Sequence, residues 1–291
     1  MVSNAPILAA VDGSPSSYQA VAWAAVEAAL HHSQLHILTS KAVPTGFGPG
    51  MSMSEADLES LRRDGETILN EAKRVADTAA PGAGPGIITE VTFESIIPTL
   101  IERSEQTGML VLGSRGIGAL RRGLLGSVST AATQHVLCPV AVIHGTAAID
   151  AVSAAKPILV GVDGTDNSVP AIDLAFEEAS LRGVGVVALH AWSDVTGLDL
   201  PIGDWTDLHR QEQVVLAESL VGYSSKYPDV PVRRIVVVDR PVRALLEESE
   251  NAQLVVVGSH GRGGFARMLL GSTSTALLHS VETPVVVVRS T

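Results

Sequence analysis

Cysteine is almost missing from this chain: one residue, Cys138, among 291. No intrachain disulfide can form, which fits a reducing compartment. Cys138 precedes Pro139 and an apolar run, so it reads as a packing residue rather than a reactive thiol. Aromatic residues are scarce too, at 3%, which argues against a base-stacking surface for single-stranded nucleic acid. Basic charge is in deficit, with 20 Lys and Arg against 31 Asp and Glu. The deficit holds in both halves: 9 basic against 13 acidic residues before Ile149, and 11 against 18 from there on. A polyanionic partner such as nucleic acid is not expected. No apolar run approaches the ~18 residues of a membrane span. The N-terminus lacks a basic segment leading into a long apolar one, because Asp12 interrupts the first run. The expectation is a soluble, cytoplasmic chain.

What the chain does have, it has twice. Ala10-Val-Asp12-Gly13-Ser14 matches Gly161-Val-Asp163-Gly164-Thr165 at an offset of 151, and Glu27-Ala28 matches Glu178-Ala179 at the same offset. Gly113, Gly116, Gly126 and Ser127 match Gly258, Gly261, Gly271 and Ser272 at an offset of 145, as Pro139-Val140 matches Pro284-Val285. The six-residue difference is expected in the Gly/Pro/Met-containing stretch Pro44 to Met53. A repeat of this length makes two domains rather than a solenoid. They are expected at 1–146 and 156–291, with an Ala- and Ser-rich linker from Thr146 to Ala155.

Each half alternates short apolar runs with longer amphipathic stretches. The first half offers strands at Ile7–Val11, Leu35–Leu38, Ile87–Phe93, Met109–Leu112 and Val140–Ile143. The second offers Ile158–Val162, Gly185–His190, Arg234–Val238, Leu254–Val257 and Val285–Val288. Near-continuous Val, Ile and Leu runs mark strands buried on both faces, as in a parallel sheet. Val21, Ala25 and Ala28 share one helical face, and Ile172, Phe176 and Ala179 are their counterparts. Leu58–Ala79 and Leu208–Tyr223 read as longer helices. The predicted fold class is α/β: two tandem doubly wound domains, each a parallel sheet flanked by helices.

In such sheets ligands bind at the carboxyl ends of the strands, near the switch in strand order. Asp12 and Asp163 end the first strand of each half. Two roles are open to them: a carboxylate for a ribose or a metal, or a turn residue before glycine. The Ser or Thr that follows is placed to cap the next helix. The spacing Gly-two-Gly-nine-Gly-Ser falls after the fourth strand and before a helix. It carries Gly113, Gly116, Gly126 and Ser127 in one half, and Gly258, Gly261, Gly271 and Ser272 in the other. Glycines allow a tight exit from the strand and close approach by a phosphate, and the helix start offers backbone N–H groups to an anion. The alternative is that glycines only punctuate loops. Identical spacing in two equivalent places favours a shared role. No Gly-Lys-Ser/Thr follows, so this is not a Walker A loop. Its place after the fourth strand also excludes the dinucleotide fingerprint.

These residues resemble the ATP-binding type of the universal stress protein family, in particular its tandem actinobacterial form. The resemblance covers nearly the whole chain. It implies, in each half, a five-stranded Rossmann-like domain similar to the adenine nucleotide alpha hydrolases, with ATP and Mg2+ clasped by the glycine loop. It implies that Asp12 and Asp163 lie near sugar and phosphates. Backbone near Ser40–Lys41 and Ala191–Trp192 would meet the adenine. It further implies pairing through Pro139–Ile143 and Pro284–Val288, a homodimer and a protein partner. Glu94 and Asp239 depart from the family pattern, which often has a small glycine there. Thr39-Ser-Lys41 also replaces the His190-Ala-Trp192 run, so the two pockets are expected to differ.

Arg115 and His260 occupy equivalent loop positions and are open to a phosphate or a solvated role, as are Arg121, Arg122, Arg262 and Arg267. His31, His32 and His36 read as helix-end and surface residues rather than a metal cluster. Trp23, Trp192 and Trp205 read as packing, with Trp192 beside the expected adenine pocket. The functional expectation is an ATP-binding regulatory protein of stress response or growth control. The alternatives are a slow Mg-dependent ATPase, for which no dedicated base is visible, and a nucleotide-free dimeric scaffold.

Overall fold

The computed structural model describes residues 5–42, 54–82, 86–116, 125–144, 151–192, 205–261 and 270–289. The chain divides into two compact units, Met1–Gly145 and Thr146–Thr291. Among the described residues no helix is long and apolar enough to cross a membrane.

Unit 1 runs β1 (Ile7–Ala10), α1 (Pro15–Leu30), β2 (Leu35–Ser40), α2 (Glu55–Ala79), β3 (Ile87–Thr92), α3 (Ile96–Ser104), β4 (Met109–Gly113), α4 (Ser127–His135) and β5 (Val140–Ile143). Its strands lie in the order β3-β2-β1-β4-β5, each pair parallel. The Val/Ile/Leu runs become strands because helices cover both faces. Met109, Leu110 and Val111 of β4 are fully buried, as are Ala141, Val142 and Ile143 of β5. At an edge, β3 keeps Ile88 44% exposed. Helix α1 begins where Ser14 accepts from the Ser17 N–H and Pro15 supplies a preset φ. Its Ala20, Val21, Ala24, Ala25 and Ala28 lie against the sheet. It stops at His31, and His32 turns away at φ 50. Helix α2 starts with a capping box between Ser54 and Asp57.

Unit 2 runs α5 (Ala151–Ala154), β6 (Ile158–Gly161), a 3-10 turn (Asp166–Ser168), α6 (Val169–Arg182), β7 (Val186–Trp192), α7 (Trp205–Ser219), α8 (Tyr223–Lys226), β8 (Val232–Val238), α9 (Pro241–Ser249), β9 (Leu254–Gly258), α10 (Ser272–Ser280) and β10 (Val285–Val288). Its order is β8-β7-β6-β9-β10, again parallel. Ile172, Phe176 and Ala179 of α6 are fully buried, each of the two large side chains contributing roughly 1.5–3 kcal/mol by leaving water. Gly183 ends α6 in the left-handed region at φ 65.

The units differ mainly between their second and third strands. The starts of β2 and β7 are 151 residues apart, those of α2 and α7 are 150 apart, and those of β3 and β8 are 145 apart. The six-residue difference therefore falls between the second and third strands; Pro44 to Met53, where the sequence put it, lies outside the described residues. Helix α2 runs unbroken for 25 residues. Its counterpart breaks after Ser219, where Gly222 takes φ 88, and resumes as α8. The single helix expected over Leu208–Tyr223 is thus two. Phe176 stacks on Tyr223 at 4.6 Å, and the Tyr223 hydroxyl donates to Asp173 Oδ1 at 3.1 Å. These contacts hold α8 against α6 despite the break.

Candidate functional site

In each unit the strand order reverses beside the first strand. From β1 the chain moves through α1 to β2 on one side, and from β4 through α4 to β5 on the other. The carboxyl ends of β1 and β4 therefore open a crevice, and β6 and β9 do the same in unit 2. All the sequence-predicted site residues gather at these two crevices.

Asp12 follows β1, and its Oδ1 accepts from the Ser14 N–H at 2.9 Å. Asp163 Oδ1 accepts from both the N–H and the hydroxyl of Thr165, each at 2.8 Å. Gly13 and Gly164 sit between at φ 91 and 77, a conformation that favours glycine. The turn reading of both aspartates is therefore correct for Oδ1. It also aims Oδ2 across the crevice at the second loop glycine. A Cβ on Gly116 would stand 2.5 Å from Asp12 Oδ2, and one on Gly261 would stand 3.3 Å from Asp163 Oδ2. The capping expectation divides here. Ser14 caps α1, whereas Thr165 gives its hydroxyl to Asp163 and α6 is reached through the 3-10 turn.

The first loop glycine is needed for space rather than for an unusual backbone angle. A Cβ on Gly113 would meet the Ser16 backbone and Oγ at 2.8 Å, and one on Gly258 would meet Asn167 O at 2.9 Å. Neither has a positive φ, so the tight exit from the strand, which a side chain would obstruct, is one of close packing. The loop closes at its base. Gly126 N–H donates to Ser114 O at 2.8 Å, and Gly271 N–H to Ser259 O at 2.7 Å. Gly126 and Gly271 then act as N-caps of α4 and α10 with no side-chain cap bond. The first-turn N–H groups have no helical partner and face the crevice. Ser127 and Ser272 are exposed beside them.

Sequence reasoning missed the serine one turn further on. Ser129 Oγ donates to Gly113 O at 2.7 Å, and Ser274 Oγ to Gly258 O at 2.6 Å. Each ties the helix start to the strand end. Their identical place in both repeats was the available signal. The apolar walls were missed as well: Ile96, Ile97 and Pro98 in unit 1, Pro241 and Leu245 in unit 2.

These walls enclose a cavity of about 950 Å3 in unit 1 and about 300 Å3 in unit 2, within the ≈300–1,000 Å3 of small-molecule sites. Asp12, Gly113, Gly116, Gly126 and Ser127 line the first, with Arg115, Ser40 and Lys41. Asp163, Gly258, Gly261, Gly271 and Ser272 line the second, with His260 and Ala191. Trp192 is 8% exposed and is not in that wall, so it packs. Glu94 and Asp239 also lie outside both walls. Glu94 is exposed, and its backbone carbonyl accepts from Ser40 Oγ at 2.7 Å. Asp239 faces Arg243 at 3.5 Å. Neither carboxylate repels a ligand from within the cavity. Arg121, Arg122, Arg262 and Arg267 lie outside the described residues.

Cys138 is buried, and burial pushes its thiol up to about 12, as expected for a packing residue. His31 pairs with Glu27 at 3.2 Å and His36 with Gln34 at 3.2 Å. Burial, and after it the Arg103 charge, hold His36 below the usual imidazole range.

Two doubly wound α/β units, each with a glycine loop and an open helix N-terminus at the switch point, define a class of tandem Rossmann-like proteins. The profile of the universal stress protein family matches residues 4–144 and again 154–289. The chain belongs to the universal stress protein family. It is similar to a universal stress protein of Mycolicibacterium smegmatis (strain ATCC 700084 / mc(2)155), with 45% identity over 290 residues, 97% of this chain and 96% of that one. A universal stress protein of Mycobacterium tuberculosis (strain ATCC 25618 / H37Rv) is 44% identical over 285 residues, with the same coverage. The crystal structure of a universal stress protein from Archaeoglobus fulgidus DSM 4304 shares the fold, with a TM-score of 0.69 at 23% identity over 99% of both chains.

Proposed function

We propose that each unit binds an adenine nucleotide, ATP with Mg2+, and that occupancy serves regulation rather than turnover. One observation carries this reading: the same cradle is built twice at a switch point. In each an Asp carboxylate, two closely packed loop glycines and a helix N-terminus without a side-chain cap surround a cavity. The helix start and loop N–H groups suit phosphate oxygens, and the apolar walls suit a base.

The residues fit Mg2+ as well as phosphate. Asp12 and Asp163 each supply a carboxylate beside the loop, and Mg2+ is commonly held by one or two carboxylates plus substrate phosphates. The metal would offset the repulsion between carboxylate and phosphates. Ligand binding to the folded state alone stabilises that state by linkage, and a ligand preferring one conformation shifts the surface offered to a protein partner.

The test is a pair of substitutions. Gly116→Glu and Gly261→Glu place a side chain and a negative charge in the phosphate space. Purified parent protein, denatured, should release nucleotide absorbing at 260 nm, and the double variant, folded by circular dichroism, should not. Equal nucleotide content in a folded double variant would remove the glycine loops as the site.

A further inference from the structure

The peptide that leads into Asp163 is gripped by a buried ring. His190, on β7, is fully buried. Its Nδ1 lies 2.7 Å from Val162 O. A carbonyl oxygen only accepts, so Nδ1 carries the hydrogen and donates it. The other ring nitrogen, Nε2, lies 2.6 Å from Glu212 Oε2 on α7. One side chain thus ties α7 to the last carbonyl before the unit 2 aspartate.

That carbonyl belongs to the Val162–Asp163 peptide. Beyond it, Asp163 Oδ1 accepts from the N–H and the hydroxyl of Thr165, and Oδ2 faces Gly261. The bond to His190 holds the peptide plane from which the Asp163 side chain departs, and Glu212 holds the plane of the ring. The ring cannot rotate without breaking both bonds, which is unfavourable where water is excluded. A locked supporting layer of this kind sets how accurately a binding group is presented.

Unit 1 holds the equivalent peptide in another way. Thr39 stands where His190 does, and its Oγ1 makes no hydrogen bond among the described residues. On α2, Gly65 offers no side chain at this level: it lies against Val91, the β3 residue in register with Thr39, and beside Lys41. The Val11–Asp12 peptide is held instead at its nitrogen, where Asp12 N–H donates to Ser17 Oγ on α1 at 3.3 Å. The link from the site aspartate to the helix after the second strand is thus built in unit 2 by a histidine and a glutamate, for which unit 1 has a threonine and a glycine.

We infer that His190 and Glu212 are a positioning pair for the unit 2 site, and that through them nucleotide binding in unit 2 is coupled to the seating of α7. The inference rests on the nucleotide reading above. Neither residue meets the ligand: the wall of the unit 2 cavity contains Leu189 and Ala191 but not His190 or Glu212. A ligand that engages Asp163 favours the arrangement in which Val162 O meets His190, and so the one in which the ring meets Glu212. By linkage, whatever seats or lifts α7 changes the affinity of unit 2 by the same factor as the ligand changes the seating of α7. Thr39 and Gly65 provide no such route in unit 1.

The test uses the full chain carrying Gly116→Glu, so that only unit 2 binds ATP, with affinity read by calorimetry and α7 by backbone hydrogen exchange. His190→Phe removes the donor but keeps a ring, and His190→Asn keeps an amide donor near the place of Nδ1. Glu212→Ala releases the ring, and Glu212→Gln keeps a hydrogen-bonding group against it. Affinity should fall about fivefold in His190→Phe and in Glu212→Ala and be largely retained in His190→Asn and Glu212→Gln. ATP should slow the exchange of α7 amides when both residues are intact, and should not do so in Glu212→Ala. Unchanged affinity in folded His190→Phe and Glu212→Ala would overturn the positioning role and leave the nucleotide reading standing. So would an equal loss in all four variants, which would mark a packing role only, or a slowing of α7 exchange that survives Glu212→Ala. No saturable ATP binding by the unsubstituted chain would overturn the nucleotide reading and this inference with it.

Discussion

Asp12 Oδ2 occupies the space that a side chain on Gly116 would need, at 2.5 Å from the position of its Cβ. The repeat is looser, with Asp163 Oδ2 at 3.3 Å from the corresponding point on Gly261. The second loop glycine is therefore coupled to the aspartate at the end of the first strand, although the two are about a hundred residues apart in sequence.

That coupling has a measurable sign. Gly116→Ala should destabilise by about 1–3 kcal/mol through overpacking, because Asp12 is held by the Ser14 N–H and cannot swing away freely. Gly261→Ala should cost less. The Asp12→Ala/Gly116→Ala double variant should recover most of the loss in a double-mutant cycle read by urea unfolding. Additive losses would mean that the two residues do not touch.

Ser129 and Ser274 should matter to stability although neither is a site residue. Each donates a buried hydrogen bond to the terminal carbonyl of its loop strand. Ser129→Ala should cost about 0.5–1.5 kcal/mol and also weaken binding in unit 1, since it fixes α4 relative to Gly113. Urea midpoints and calorimetric affinities check both effects.

Cys138 gives an alkaline signature. Its thiol titrates from 9.0 in an exposed chain to about 12 when folded. Below 9 both states hold the proton and the thiol contributes nothing to pH dependence. Above 9 the unfolded chain releases it first, so stability falls by at most about 1.4 kcal/mol per pH unit until about 12. Cys138→Ala should flatten that part of the profile relative to the parent. Native protein should also resist alkylation at pH 8 and react on unfolding.

Asp163 should be separable from the fold. Asp163→Ala should weaken nucleotide binding in unit 2 while leaving the circular dichroism spectrum unchanged. An unaffected affinity would reduce the residue to the turn that its Oδ1 makes with Thr165.

The sequence carried the strands, because short β-branched runs such as Val140–Ile143 and Val285–Val288, each entered from a proline, favour a buried strand over a helix, and the repeat fixed which glycines correspond. Through the repeat it also pointed to the residues that gather at the two crevices. What it could not carry was depth. The roles of Gly113 and Gly116 depend on Ser16 and Asp12 across the crevice, and no local pattern reports such a contact. The break at Gly222 was hidden because the apolar periodicity of Leu216 and Leu220 continues into it. The difference between Thr39 and His190 was visible in the alignment. Its consequence was not, because it depends on Gly65 and Glu212, which lie in the least conserved spacing of the two halves.

The most direct measurement is calorimetric titration of the nucleotide-stripped full chain with ATP and Mg2+. The expected result is saturable binding with close to two nucleotides per chain, the unit 1 and unit 2 sites being distinguishable through Gly116→Glu and Gly261→Glu. No binding heat, together with no rise in unfolding temperature on adding ATP, would contradict it.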